Sequence, residues 1–382
     1  MDLKVSRRGQ VAPFYAMEVL KAANERAAAG VEVLHLEVGE PTTGAPRRVI
    51  EHVKGVMDST HLGYTEALGV VPLRDAIARY YGSAYGVEVD PSRVIVTMGS
   101  SGAFLLAFTA AFDVGDRVAI AAPGYPAYYN ILSAMGIEPV IVETGPEHRF
   151  QPTPELLESI PGRLDGLLIA SPANPTGTMV IGPALRNLVD YCAERQIRFV
   201  SDEIYHGITF ETPAETVLKL SRNAIVINSF SKYFCMTGWR LGWMVLPEDL
   251  IRPTECLAQN MFVSPSALSQ HAAIEVFNCR DELDANVARY AENRRILLEE
   301  LPAAGFDRLA PADGAFYLYA DVRQLTNDST DFCKRLLNEA GVAVTPGIDF
   351  DRERGNSYVR FCFAGSTEDI SAASQRIADW LR

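Results

Sequence analysis

Four short stretches of the chain place reactive or charged side chains directly after apolar runs. Behind Arg93–Thr97 (RVIVT) come Met98-Gly99-Ser100-Ser101-Gly102. A glycine lets backbone approach a ligand closely, and the free N–H groups of a following helix start suit an anion such as a phosphate. The same residues also make an ordinary turn and helix cap. Behind Gly166–Ala170 (GLLIA) comes Ser171-Pro172-Ala173-Asn174-Pro175-Thr176-Gly177. Its two prolines and glycine fix the loop, so the Asn174 amide is presented rigidly, although a Pro-rich turn with a local Asx bond has the same composition. Arg198–Ser201 runs into Asp202-Glu203-Ile204-Tyr205, an acid and a phenol able to converge on one ligand. Ala224–Asn228 runs into Ser229-Phe230-Ser231-Lys232, with Gly238-Trp239-Arg240 shortly beyond. A lysine at a strand end is usually a solvated charge; this one is framed by two serines and an arginine.

The elements that must hold these groups are legible in the same runs. Arg93–Thr97, Arg117–Ala121, Pro139–Val142, Gly166–Ala170, Arg198–Ser201 and Ala224–Asn228 are short and nearly continuously apolar, as strands buried on both faces are. Amphipathic stretches between them, Val71–Tyr81, Gly102–Phe112 and Pro183–Arg195, read as helices. Strands alternating with helices imply an α/β fold with a mostly parallel sheet, which collects ligands at the carboxyl ends of its strands. Past about Gln270 the texture changes. A long helical segment is expected over Ala267–Glu300, and Ala315–Asp321 and Tyr358–Ala364 alternate like antiparallel strands with one wet face. The expected division is a large domain over 45–275, a smaller α+β domain over 276–382, and residues 1–44 joining the smaller one.

Composition narrows the function classes. A chain of 382 residues that is 48% hydrophobic can bury a large core. With a net charge of −13 and no basic stripe, nucleic acid is not an expected partner. The six cysteines form no CxxC pair and no histidine sits at zinc spacing, so no metal site is expected and the thiols suit a reducing compartment. The first residues lack an apolar h-region, and apolar windows such as the one from Ala103 are too short to span a bilayer; the expectation is a cytoplasmic protein away from membranes. Neither GxSxG nor GxGxxG occurs, which removes the first signals of common hydrolases and nicotinamide enzymes.

Taken in order, SPANPTG, DEIY and SFSK followed by GWR resemble the class I/II aminotransferase family of fold-type I pyridoxal-phosphate enzymes. The resemblance extends from LEVGEP at Leu36–Pro41 to YVRFCFA at Tyr358–Ala364. It implies a seven-stranded, mostly parallel sheet flanked by helices in the large domain, pyridoxal 5′-phosphate as cofactor, and a homodimer with shared active sites. It also implies residue roles. Lys232 is then the lysine that forms an imine with the cofactor aldehyde and afterwards moves the α-proton, which requires it to lose its own proton in a desolvated, cation-lined site. Asp202 pairs with the pyridine nitrogen so that the ring can accept electrons. Tyr205 and Asn174 face the phenolic oxygen. Ser100, Ser101, Ser229 and Arg240, with Ser231 a further member, form a phosphate cup, Tyr125 lies over the ring face, and Tyr64 reaches the phosphate from across the dimer. Arg360 grips the substrate carboxylate in the two-pronged manner for which guanidinium is built, with the Gly39 backbone and Asn174 beside it.

The reaction expected is a ping-pong exchange of an amino group between an L-amino acid and a 2-oxo acid such as 2-oxoglutarate. Val11–Glu18 and Leu257–Ser266 are the stretches expected near the substrate side chain. Phe14, Tyr15, Met17, Met261 and Phe262 dominate them and no Arg or Lys is present, so a neutral or aromatic donor is expected. The same lysine, aspartate and phosphate cup would also serve a β- or γ-lyase, a synthase or an oxidase-like enzyme. A non-catalytic amino-acid sensor would need a DNA-binding module, and the family resemblance leaves no room for one. His206 reads as packing or a loop bond, and Glu203 as pointing away from Asp202.

Overall fold

The computed structural model describes residues 3–382. Its strands, in chain order, are β1 (Leu34–His35), β2 (Val94–Thr97), β3 (Arg117–Ala122), β4 (Glu138–Glu143), β5 (Gly166–Ala170), β6 (Arg198–Asp202), β7 (Ile225–Ser229), β8 (Gly242–Val245), β9 (Tyr317–Asp321), β10 (Val342–Ala343), β11 (Thr345–Pro346) and β12 (Tyr358–Cys362). The six apolar runs of the sequence become β2 to β7 to within a residue or so at each end. They join one seven-stranded sheet ordered β2-β8-β7-β6-β5-β3-β4. Every residue of β2, β7 and β8 is buried, as the absence of a polar alternation demands.

Strand β8 has no counterpart among those runs, being short and opening on glycine. It enters antiparallel to both β2 and β7, pairing Gly242 with Thr97 on one side and Ser229 on the other. A Cβ on Gly242 would lie 2.8 Å from the Gly99 carbonyl carbon and 2.9 Å from the Ser100 nitrogen. The missing side chain therefore lets the Gly99–Ser100 turn settle against the end of the sheet.

The helix Gly99–Ala111 packs Phe104, Ala107 and Phe108 on the face that also buries Ile225, Ile227 and Met244. Gly182–Glu194 covers the opposite face through Leu185, Leu188, Val189 and Cys192, spaced three to four apart as one helical stripe requires.

Two expectations for the second half are corrected. The segment Ala267–Glu300 is two helices, Ala267–Val276 and Arg280–Ala303, not one. Between them Phe277 turns into an aromatic cluster, 5.4 Å from the Phe234 ring and 5.7 Å from Phe230, and Asp281 and Glu282 open the next helix favourably for its dipole. The antiparallel strands β9 and β12 do pair, with Arg360 opposite Tyr319, in a three-stranded sheet ordered β11-β12-β9. Neither has a wet face, because Phe306 packs on Phe361 from one side while Tyr205 packs on Tyr317 from the other. The N-terminal strand β1 pairs in parallel with β10, and Leu36 continues the contact to Cys362. Among the described residues, no helix is long and apolar enough to cross a membrane and no acidic, histidine and cysteine side chains cluster as metal ligands.

Candidate active site

The four loops behind β2, β5, β6 and β7 meet in a cavity of about 180 Å³, closed from the other side by the N-terminal segment and by β9 and β12. Gly39, Ser100, Ser101, Tyr125, Asn174, Asp202, Tyr205, Ser231, Lys232, Arg240 and Arg360 all line it. Two residues singled out from the sequence do not. Ser229 is buried beneath the loop, its hydroxyl 2.9 Å from Ser231 Oγ and 3.2 Å from the Leu241 carbonyl. Tyr64 is 88% exposed, and its neighbour Thr65 donates its N–H to Ser264 Oγ.

Asp202 ends β6 with its carboxyl fully enclosed. Oδ2 accepts from the Tyr128 hydroxyl and Oδ1 from the Ile204 N–H at 3.0 Å. Burial is the main influence on it and raises its pKa to about 6, against the opposing pull of these bonds and of Lys232. Lys232 donates from Nζ to the Gly39 carbonyl at 2.6 Å. Desolvation lowers its pKa to about 8, with Arg360 and Arg240 acting in the same direction and Cys362 and Glu40 opposing.

At one end the helix Gly99–Ala111 points its first turn at the cavity with no side chain capping it. Gly99 has a left-handed φ of 68°, and a Cβ there would come within 2.8 Å of an Arg240 guanidinium nitrogen. Among the described residues Arg240 has no carboxylate partner; one of its N–H groups donates to the Thr237 carbonyl at 3.0 Å. Unpaired N–H groups, two serines and an unpartnered guanidinium form a positively polarised pocket for an anion.

At the other end Arg360 is 1% exposed. It donates to Asn174 Oδ1 at 2.9 Å, to Thr345 Oγ1 at 3.1 Å and to the Glu37 carbonyl, and it stacks on Tyr317 with its guanidinium carbon 4.4 Å from the ring centroid. No carboxylate neutralises it among the described residues, and its Nε has no partner. A buried cation held only by neutral groups is built for an anionic ligand.

Sequence reasoning missed Tyr128 and Tyr317, both buried lining residues, as well as Phe104. Tyr128 lies one helical turn beyond Tyr125, so the spacing was a usable signal; Tyr317, in an apolar strand, gave none. Of the two stretches expected near the substrate side chain, Val11–Glu18 supplies Phe14, Ala16 and Met17 to the wall. Leu257–Ser266 does not reach the cavity of its own chain, and Met261 is 51% exposed. His206 is, as expected, a buried bonding group: Nε2 meets the Ser171 carbonyl at 3.0 Å and Nδ1 the Tyr85 hydroxyl at 3.0 Å, and burial depresses its pKa to about 3. Glu203 turns from the cavity to Ser201, Thr216 and Val217.

Comparison with known proteins agrees with this architecture. The sequence profile of aminotransferase class I and II matches residues 31–377. A valine–pyruvate aminotransferase of Mycobacterium tuberculosis is 49% identical over 100% of this chain and 99% of its own. An aminotransferase crystal structure from Mycobacterium tuberculosis superposes with a TM-score of 0.98 at 49% identity, covering 100% of this chain and 99% of that one. The aspartate aminotransferase of Thermus thermophilus with maleate superposes with a TM-score of 0.93 at 32% identity, covering 99% and 100%. With the profile spanning most of its length and relatives matching end to end, the chain belongs to the class I and II aminotransferases.

Proposed function

We propose that this aminotransferase moves the amino group of a neutral L-amino acid to a small 2-oxo acid, using pyridoxal phosphate held between Asp202 and Arg240. The observation that carries the substrate class is the composition of the cavity lining. It includes Phe14, Ala16, Met17 and Tyr125, and among the described residues it offers no fourth cation to meet a second carboxylate. The cations that do line the cavity, Lys232, Arg240 and Arg360, each have another task. The relative that is 49% identical is named for valine and pyruvate, which fits such a wall. Because a ping-pong enzyme uses one site for both half-reactions, the wall that disfavours aspartate also disfavours 2-oxoglutarate relative to pyruvate.

The residues present suit the cofactor. The uncapped helix start at Gly99 with Arg240 matches a phosphate, the enclosed Asp202 carboxyl matches a protonated pyridine nitrogen, and Lys232 lines the same cavity with a pKa lowered to about 8. When bound, the cofactor supplies an aldehyde carbon for Lys232 and an electron-accepting ring for the bond broken at the substrate Cα. The chain's own contributions are positional and acid–base. Arg360 with Asn174 takes the substrate carboxylate and orients the Cα–H bond. With the cofactor bound, a free Lys232 amine would be the neutral base placed to take the α-proton and to return it to the carbon on the far side of the imine nitrogen, two bonds away. Asp202, as a carboxylate, keeps the ring nitrogen protonated throughout. Tyr205 would donate to the phenolic oxygen and Tyr125 would cover the ring, both side chains lining the cavity.

The division of the chain at about 45 and 275 fits this account, with the sheet carrying the cofactor side and residues 1–44 and 276–382 carrying the carboxylate side. A homodimer with shared sites is also part of the proposal. It is supported by exposed Tyr64, Met261 and Val263, in stretches joined by the Thr65–Ser264 bond; sedimentation equilibrium at twice 41.9 kDa is the expected result.

The deciding experiment mixes purified protein with valine, alanine, methionine, phenylalanine or aspartate, each with pyruvate or 2-oxoglutarate. Neutral donors should exceed aspartate by at least about tenfold in kcat/KM. A preference for aspartate overturns the substrate assignment.

A further inference from the structure

Tyr317 sits at the corner where the two ends of the cavity meet. It is 1% exposed, and its hydroxyl lies 2.7 Å from that of Tyr205. Its ring backs the Arg360 guanidinium at 4.4 Å. A Cβ on residue 39 would fall 1.7 Å from the Tyr317 oxygen, so the glycine that accepts from Lys232 through its carbonyl is also the residue that makes room for this phenol.

Among the described residues the two phenols have no other hydrogen-bond partner. Together they carry two hydroxyl hydrogens and share one bond, so one hydrogen is left over. Both groups are buried, and burying a hydroxyl hydrogen without an acceptor is costly. The spare hydrogen is therefore free to turn into the cavity that both phenols line, where a bound ligand can accept it. Tyr205 and Tyr317 both line the cavity, but the Tyr317 oxygen is pressed against Gly39, where a Cβ would lie 1.7 Å from it.

We propose that Tyr317 is a positioning residue with two separable tasks: its hydroxyl donates to Tyr205, turning the Tyr205 hydrogen into the cavity, and its ring holds the Arg360 guanidinium flat. The first task rests on the reading of the site as a pyridoxal-phosphate pocket, in which Tyr205 faces the phenolic oxygen. Donation by Tyr317 strengthens the bond that Tyr205 makes, because hydrogen bonds in a chain polarise one another. A bond donated to the phenolic oxygen favours its deprotonated form. Losing the Tyr317 hydroxyl therefore raises the pKa of the bound cofactor, by less than losing the Tyr205 hydroxyl does.

The test is a pH titration of the visible absorbance of the holoenzyme, beside steady-state kinetics, for Tyr317→Phe, Tyr317→Leu and Tyr205→Phe. Tyr317→Phe keeps the ring, so it should shift the spectral transition upward, in the same direction as Tyr205→Phe and by a smaller amount. Its KM for amino acid should stay within about threefold of the parent, since the stacking on Arg360 is intact. Tyr317→Leu should shift the transition and also raise KM by about tenfold, as a flat aromatic support is lost. A Tyr317→Phe titration that overlays the parent, or a Tyr317→Leu variant with unaltered KM, overturns the corresponding task. A parent protein with no visible absorbance after incubation with pyridoxal phosphate overturns the reading beneath the first task and the first task with it, and leaves the KM arm standing as the test of the second.

Discussion

The cavity has a floor and a roof, and they are assembled differently. The floor groups, Asp202, Ser231 and Lys232, stand at the ends of the adjacent parallel strands β6 and β7, about thirty residues apart in the chain. The roof is joined across great distances: Arg360 meets Asn174 from 186 residues away and the Glu37 carbonyl from 323. The floor is thus set by a sheet register that fixes every neighbouring strand end at once. The roof exists only when the N-terminal segment, the Ser171–Gly177 loop and β12 have all docked. A floor of this kind suits the invariant part of the chemistry, which tolerates no displacement. A roof of long-range contacts can change its lining without disturbing the sheet, which suits the part that chooses the substrate.

Mutations in the two regions should differ in kind. The largest effect is expected from Lys232→Ala on the floor, which under the proposed mechanism removes the covalent attachment point and the base together. Turnover should fall by at least about a thousandfold, and the visible absorbance of the lysine-bound cofactor should vanish while the fold is retained by circular dichroism. Normal turnover in that variant would end the assignment. Next comes Asp202→Asn, nearly the same shape without the charge. If Asp202 faces the ring nitrogen as proposed, an amide there cannot hold that nitrogen protonated, so kcat should fall by roughly a hundredfold or more with KM little altered. A loss confined to KM would mean that the acid serves only to bind. Third, on the roof, Arg360→Lys replaces a planar fork by a point charge. KM for both amino and oxo acid should rise by about ten- to a hundredfold, corresponding to about 1.5–3 kcal/mol for a charge-assisted bond, and kcat should fall less. If kcat fell more than KM rose, the distinction between a chemical floor and a binding roof would fail.

The same contrast explains which parts of the site are legible in the amino-acid sequence. The floor is legible because each of its groups follows an apolar run by one to four residues, and a parallel sheet puts such positions on one edge. Asp202, Lys232 and the Gly99 turn fall where that logic places them. The seventh strand is not legible as a run, since four residues beginning with glycine carry too little β signal, and it comes only with the family resemblance. In the roof, Arg360 is found through a motif. Tyr317 is not found at all, because a tyrosine in an apolar strand looks like core until its neighbour Tyr205 is brought within 2.7 Å from 112 residues away. The break at Phe277 escapes notice for a related reason, as Phe277-Asn278-Cys279 holds no glycine or proline to announce it and the aromatic cluster that Phe277 joins is tertiary.

The smallest expected effect comes from just beneath the floor. Asp202 and Glu203 are consecutive and both fully buried, yet they point to opposite sides of the strand end. Glu203 Oε1 accepts from Val217 N–H at 2.9 Å, Thr216 Oγ1 at 3.1 Å and Ser201 Oγ at 3.2 Å, while Oε2 has no donor and stands 3.6 Å from His206 Nδ1. Burial, the dominant influence, raises its pKa to about 8 from an ordinary 4.5, so at pH 7 the folded protein keeps this acid neutral. The unfolded chain ionises it above about pH 4.5. Between these values the folded state therefore holds the extra proton, and its stabilising contribution, complete below pH 4.5, is lost as pH rises towards 8. Glu203→Gln presents the same oxygen to the three donors and never ionises. Its unfolding free energy, measured by urea titration at pH 5.5 and 7.5, should decline less between the two than that of the parent, by up to about 1.4 kcal/mol per pH unit. Activity at pH 7 should stay within a few-fold, since the group does not face the cavity. If Glu203→Gln instead lost as much activity as Asp202→Asn, the chemical floor would have to extend one layer deeper, to Glu203 and the His206 imidazole behind it.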